Sequence, residues 1–218
     1  MQIWTMWLDT LREVLQFLAT DLGLGAGLAI VVLTLLVRGA LLPVSWSLAY
    51  RACIRQKRLR QLQPELQRLR ERLKDQPQRL MQETMETYRR HGLAPFDGAS
   101  LLGGLAQSPV LLGMYQVLRQ SLASGRFLWI GNLTRPDTLI ALAAALAMAL
   151  TMAVNPDLPE QTRALMIALP ALLTFVFALK FASALALYWV VSNCVTAAQT
   201  FAVHALVGRR LKSGTLHI

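Results

Sequence analysis

Apolar residues gather into five stretches, 23–42, 99–118, 138–154, 164–179 and 182–207, separated by polar or charged segments. A helix needs roughly 20 apolar residues to cross a hydrocarbon core, so the pattern predicts an all-α polytopic membrane protein with five transmembrane helices. Ahead of them, in residues 1–22, Ile3, Trp4, Trp7, Leu8, Leu11, Val14, Leu15 and Leu18 recur at helical spacing opposite Gln2, Thr5, Asp9, Arg12, Glu13 and Gln16. That is the pattern of an amphipathic helix lying on the outer membrane surface. Asp9, Glu13 and Asp21, with no basic leading region, make a signal peptide an unsuitable reading of this segment.

Between the first two stretches, residues 44–98 change period. Leu59, Leu62, Leu66, Leu69 and Leu73 step by three and four alternately, a coiled-coil seam. Residues 74–76 form the predicted turn, and Pro77 suits the first position of a second helix. That helix is expected to turn Met81, Met85 and Tyr88 to one side and to stop around Gly92 and Pro95, giving an antiparallel cytoplasmic hairpin. Asp75 with Arg79, and Glu86 with Arg89 and Arg90, stand at pairing distance along it. The domain plan is therefore a surface helix over 1–22 and a core over 23–218, ending in a short basic tail at 208–218.

Charge decides the orientation. With 55% hydrophobic and only 16% charged residues, the net charge of +10 belongs to a membrane protein's loops and is not by itself a nucleic-acid signal. Segments 43–98, 155–163 and 208–218 hold 12, 1 and 3 basic residues, against 1 and 3 in 1–22 and 119–137. Basic loops stay inside, so the N-terminus is expected outside and the C-terminus in the cytoplasm. Segment 43–98 has six acidic residues against its 12 basic ones. Its surplus suits either the anionic headgroups of the inner leaflet or an RNA-bearing or acidic partner; specific DNA binding is not expected.

Arg38 lies inside the first stretch, six residues before a helix end expected near Val44. Two readings fit: the side chain snorkels to the headgroups, or it lines a polar groove. Thr34, one turn earlier, extends a polar stripe into the membrane and favours the groove. Gln107 interrupts the second stretch, while Ser192, Thr196 and Gln199 follow one face of the last, with Asn193 beside them. Single hydroxyls in spans commonly glue helices together; buried amides together with an arginine point to a wet cavity.

Other chemistry is sparse. No acidic residue falls in any of the five stretches, and His91, His204 and His217 are scattered. No cysteine or histidine group has metal-ligand spacing, Cys53 and Cys194 read as packing residues, and no nucleophile–base pair is apparent. An enzyme, a cofactor and a metal are not expected.

Several segments resemble the core of the YidC/Oxa/Alb membrane protein insertases over about residues 28–211. They are Val37-Arg38-Gly39 with Pro43; Leu62-Gln63-Pro64 and Arg70-Glu71-Arg72-Leu73; Tyr88 with Pro95; Gln107-Ser108-Pro109 with Tyr115; Phe127-Leu128-Trp129-Ile130; and Leu187-Tyr188-Trp189-Val190-Val191-Ser192-Asn193. The resemblance implies a hydrophilic groove, open to cytoplasm and lipid and closed outside, lined by Arg38, Thr34, Gln107 and Trp189. Tyr188, Ser192, Asn193 and Thr196 extend that candidate lining, and Arg68, Arg70, Arg72 and Tyr88 are the candidate residues of the hairpin. It also implies a bacterial inner-membrane protein that inserts and helps fold small or single-span membrane proteins. Its partners would be nascent chains, anionic phospholipids and, further, the ribosome and the general translocon. The chain departs from the family at Phe181-Ala182-Ser183-Ala184, where a proline-serine-glycine turn is favoured, and its tail offers only Arg209, Arg210 and Lys212 for docking. Two other functions share the same polar features: a small transporter or channel, and a specialised paralogue serving one partner.

Overall fold

A computed structural model describes residues 2–93, 112–118 and 125–215, and these are helical with no strand beyond a single bridge between Phe127 and Ile130. The helices are α1 (Gln2–Gln16), α2 (Gly25–Ala40), α3 (Leu42–Arg72), α4 (Pro77–Arg90), α5 (Thr138–Ala153), α6 (Arg163–Ala178) and α7 (Ser183–Lys212), with residues 112–118 also helical. Two described helices, Glu160–Ala178 and Ser183–Lys212, are long and apolar enough to cross a membrane. A third candidate is the pair α2 and α3, bent by 65° where they meet; α5 is a shorter apolar helix. Most of the predicted second span, with Gln107, lies outside the described residues.

α1 runs on through a π-helical turn, Phe17–Asp21, and the chain then reverses through Gly23 and Gly25, whose φ angles of +63° and +73° suit residues without a Cβ. Leu11, Leu15 and Leu18 are buried, whereas Ile3 and Met6 are exposed at 85% and 68%. The buried side is docked on residues 112–118: a Cβ at Gly113 would stand 2.7 Å from Trp7 Nε1.

The 65° bend replaces the continuous helix expected to reach Val44. Pro43 has no N–H to return to the Gly39 carbonyl, so the ladder breaks and Pro43 opens a new helix within its first turn. α3 then continues as one 31-residue helix with Pro64 inside it, leaving the Arg60 carbonyl without its helical donor.

The main core sits at the end of the bundle near residues 125–137. Ile30, Leu33, Met114, Val117, Ile130, Leu133 and Ala141 pack there around Ala184–Tyr188 of α7, a stretch buried on every side. The loop is locked to this hub. Leu133 and Arg135 accept backbone N–H bonds from Ala184 and Ser183, the Ser183 hydroxyl also donates to Arg135, and Phe127 lies so close to Gly27 that a Cβ there would stand 2.2 Å from its ring. Asp137 caps α5 by accepting from Leu139 N and Ile140 N. These bonds hold the α6–α7 turn at Phe181-Ala182-Ser183-Ala184 without the family's proline and glycine.

At the opposite end, α4 runs back along α3. Leu62 and Leu69 are buried there and Leu59, Leu66 and Leu73 half-buried, so the leucine seam is the packing face of α3. On α4 the expected face holds at Met85 and Tyr88, both half-buried, but not at Met81, which is 70% exposed; Leu80, Thr84 and Thr87 turn inward beside them. Thr87 is buried because its hydroxyl bonds back to the Glu83 carbonyl, which lets a polar residue take an apolar position. Arg79 donates to Gln76, not to Asp75.

Candidate functional site: a polar cavity between four helices

α7 packs chiefly against α5, α2 and α3, and between these four helices lies a cavity of about 460 Å³. α2 supplies Arg38; α3 supplies Ser45, Leu48 and Ala49; α5 supplies Met148, Thr151 and Met152; α7 supplies Tyr188, Trp189, Ser192, Asn193, Thr196, Gln199 and Thr200. The α7 set recurs every three or four residues, which is what one face of a straight helix presents.

Arg38 sits in the last turn of α2, where a cation complements the helix dipole. Its Nε donates to Ser192 Oγ at 2.9 Å, and a second guanidinium nitrogen reaches the same oxygen. The side chain is thus fixed laterally toward α7 and does not simply reach along its own helix. Around it the polar groups are neutral. Thr151 Oγ1 donates to the Asn193 carbonyl at 3.0 Å, Asn193 Nδ2 to the Trp189 carbonyl at 2.9 Å, and Ser45 Oγ to Gln199 Oε1 at 3.4 Å. No carboxylate is among the described lining residues.

Of the groove residues expected from the sequence, Arg38, Tyr188, Trp189, Ser192, Asn193 and Thr196 border this one cavity. Thr34 does not. It is fully buried and donates to the Ile30 carbonyl at 2.7 Å, so it belongs to the packed core. Gln107 falls outside the described residues. Ser45, Thr151 and Thr200 are the polar lining residues that sequence reasoning missed. Their signal was faint: a lone hydroxyl two residues after Pro43, the single polar residue in the second half of α5, and a threonine directly after Gln199.

At its far wall the cavity meets aromatic rings. Trp189 stands edge-to-face with Phe181 at 6.1 Å, and Phe181 with Tyr115 at 6.0 Å. Phe181 and Tyr115 line a separate hollow of about 230 Å³ toward residues 125–137, so this ring contact divides the two spaces.

The hairpin residues are distributed differently. Arg68 and Arg72 line a cleft of about 490 Å³ between α3 and α4, with Glu65, Glu83, Glu86 and Arg90. Arg72 pairs with Glu83 at 3.7 Å, and Arg90 with Glu86 at 2.7 Å, which holds the Glu86 carboxyl below its ordinary range. Arg70 is exposed, and Tyr88 is half-buried.

Below the cavity, α3 is tied to the 155–162 connection and to α7. Asp157, its side chain only 3% exposed, lies 3.2 Å from Lys57 Nζ, 3.3 Å from Arg60 and 3.5 Å from His204. Asn155 Nδ2 donates to Gln56 at 3.2 Å, and Cys53 Sγ lies 3.4 Å from His204 Nδ1.

The sequence profile described as "60Kd inner membrane protein" matches residues 17–209. The membrane protein insertase MisCA of Bacillus subtilis (strain 168) is 35% identical over 205 residues, which cover 88% of this chain and 76% of that protein. The membrane protein insertases YidC of Vibrio atlanticus (strain LGP32) and Pseudomonas entomophila (strain L48) are each 36% identical, over 88% and 79% of this chain. The chain spans only 35% and 31% of those two relatives' own length. A profile matched along nearly the whole chain, and a relative covered for three quarters of its length, establish that this chain belongs to the 60Kd inner membrane protein family.

Proposed function

We propose that the chain is a membrane protein insertase and chaperone of the bacterial inner membrane, passing small or single-span proteins through the cavity between α2, α3, α5 and α7. Five spans, the N-terminus outside and the C-terminus in the cytoplasm, complete the reading. The observation that carries it is Arg38, held against Ser192 at a cavity whose described lining contains no carboxylate. A charged or polar tail crossing bare hydrocarbon costs at least ~2.5 kcal/mol per charge. A wet half-channel with a fixed cation lowers that cost for acidic tails in particular.

Helix length supports the same route. α2, up to its bend, and α5 have 16 residues each, about 24 Å at the helical rise, against a hydrocarbon core of about 30 Å. A bilayer thinned to match them shortens the path beside the cavity. The ring contact at Phe181 and Trp189 closes the outer side, and the hairpin, with Arg68, Arg70, Arg72 and Tyr88, receives the nascent chain. Anionic lipids, the ribosome and the translocon are the further partners that fit its surplus positive charge.

The test is photo-crosslinking in membranes carrying a stalled nascent span. A crosslinker replacing Trp189 should capture the nascent chain, and one replacing Leu146, 61% exposed on the outer face of α5, should capture lipid. Equal capture at both positions would remove the cavity from the route.

A further inference from the structure

Cys53 on α3, Asp157 on the 155–162 connection and His204 on α7 bring one sulfur, one carboxylate oxygen and one imidazole nitrogen within 4.8 Å of one another. Both Cys53 and Asp157 are buried, at 3% and 6% exposure. Nδ1 of His204 is 3.4 Å from Cys53 Sγ and 3.5 Å from Asp157 Oδ2. Tetrahedral zinc holds sulfur at about 2.3 Å and nitrogen or oxygen at about 2.0–2.1 Å, which sets neighbouring ligand atoms ~3.3–3.6 Å apart. The two edges that meet at His204 match that figure, and the sulfur–carboxylate edge lies within 4.8 Å.

A second observation points to a ligand. Asp157 Oδ2 is shielded from solvent and, among the described residues, accepts no hydrogen bond. Lys57 Nζ and His204 Nδ1 stand within ion-pair range of it but outside hydrogen-bonding geometry. Lys57 donates to Oδ1 instead, as does Arg60. That buried carboxylate oxygen faces a thiol and an imidazole, has, among the described residues, only the Lys57 ammonium 3.2 Å away to balance it, and keeps a lone pair for a cation. It is also one corner of a borderline-soft cation site.

We propose that Cys53, Asp157 and His204 form a binding site for a zinc-class divalent ion, with water in the fourth position. The donor set excludes the hard cations, which take oxygen ligands. Thiolate and carboxylate together balance the ion's charge, and coordination deprotonates the thiol. Lys57 competes with the ion for Oδ2; its side chain is 21% exposed and swings to solvent when the ion binds, while Arg60 keeps Oδ1. The bound ion then joins three elements that the cavity depends on: its α3 wall, its α7 wall and the end of α5. This inference does not rest on the insertase reading, because binding is measured directly.

The full chain is purified in detergent after chelator treatment, in a Cys194→Ser background, and titrated with Zn²⁺ against a chromophoric chelator. One ion per chain is expected, with Cys53→Ser, Asp157→Asn and His204→Gln each weakening binding about tenfold or more. Lys57→Gln should tighten it severalfold, since it frees Oδ2. Co²⁺ added to the Cys194→Ser chain should give tetrahedral visible bands and a thiolate charge-transfer band that the further change Cys53→Ser abolishes. Absence of that band in the Cys194→Ser chain overturns the site whatever the other variants do. So does zinc affinity unchanged in Cys53→Ser, which would assign the ion to a site elsewhere on the chain.

Discussion

Two cavities of nearly equal volume carry opposite electrostatic designs. The cleft between α3 and α4 is lined by three arginines and three glutamates; Arg72 meets Glu83 across the hairpin, and Arg90 meets Glu86 along α4. The cavity between α2, α3, α5 and α7 has one guanidinium, hydroxyls and amides, and no carboxylate in its described lining. Paired charges at an exposed site contribute little and attract little. A cation in a half-buried site is screened less than one at the open surface. Size therefore does not distinguish the two spaces; the balance of charge does.

The sharpest contrast separates residues in the cavity from residues behind it. In a background lacking Cys53 and Cys194, Thr196→Cys should react with a water-soluble thiol reagent added from the cytoplasmic side. Thr34→Cys, fully buried, should react about a hundredfold more slowly or not at all. Labelling of Thr196→Cys from both sides would indicate a through-pore and favour a channel.

Next in size, Arg38→Ala should reduce insertion of substrates with acidic translocated tails by about tenfold, and of neutral-tailed ones by much less. Arg38→Lys should be milder, keeping the charge but losing the planar fork that reaches Ser192. Equal losses for acidic and neutral tails would make Arg38 a structural residue and erase the difference between the two cavities.

Removing the distal hairpin should separate its roles. Deletion of residues 61–90 spares Lys57 and Arg60, so the thermal midpoint in detergent should move by no more than about 3 °C while insertion falls severalfold. Deletion of residues 56–90 also takes away the partners of Asp157 and Asn155, and should lower the midpoint further. Full insertion by the shorter deletion would make the hairpin dispensable. The smallest effect is expected for Arg72→Gln, whose partner Glu83 is itself 45% exposed: less than ~0.5 kcal/mol in a denaturation curve.

What could be read from the sequence is what lies within one helix. Ser192, Thr196 and Gln199 share a face by spacing alone, and Pro77 marks a helix start by its missing N–H. Thr34 shows the limit. Its spacing from Arg38 is helical, but whether a residue one turn away meets water or core depends on how α2 is rotated against its neighbours, and no local pattern encodes that. Met81 was misread because its hydrophobicity outweighed the inward line of Leu80, Thr84 and Thr87, two of which are polar. Cys53, Asp157 and His204 are separated by about a hundred and by nearly fifty residues; only the packing of three elements makes them neighbours. The fifth-span count and Gln107 depend on residues beyond those described.

Pro64 divides α3 into two mechanically unequal lengths. On one side, Leu42–Arg60 is fastened along its flank by Ser45, Cys53, Gln56, Lys57 and Arg60. On the other, the last eight residues to Arg72 are held mainly by α4. A proline in mid-helix is a compliant joint, since one backbone bond is already missing. A pull on the tip of the hairpin is therefore absorbed as bending at Pro64 before it can lever open the fastened half. The arm can bend while the wall beneath it keeps its shape.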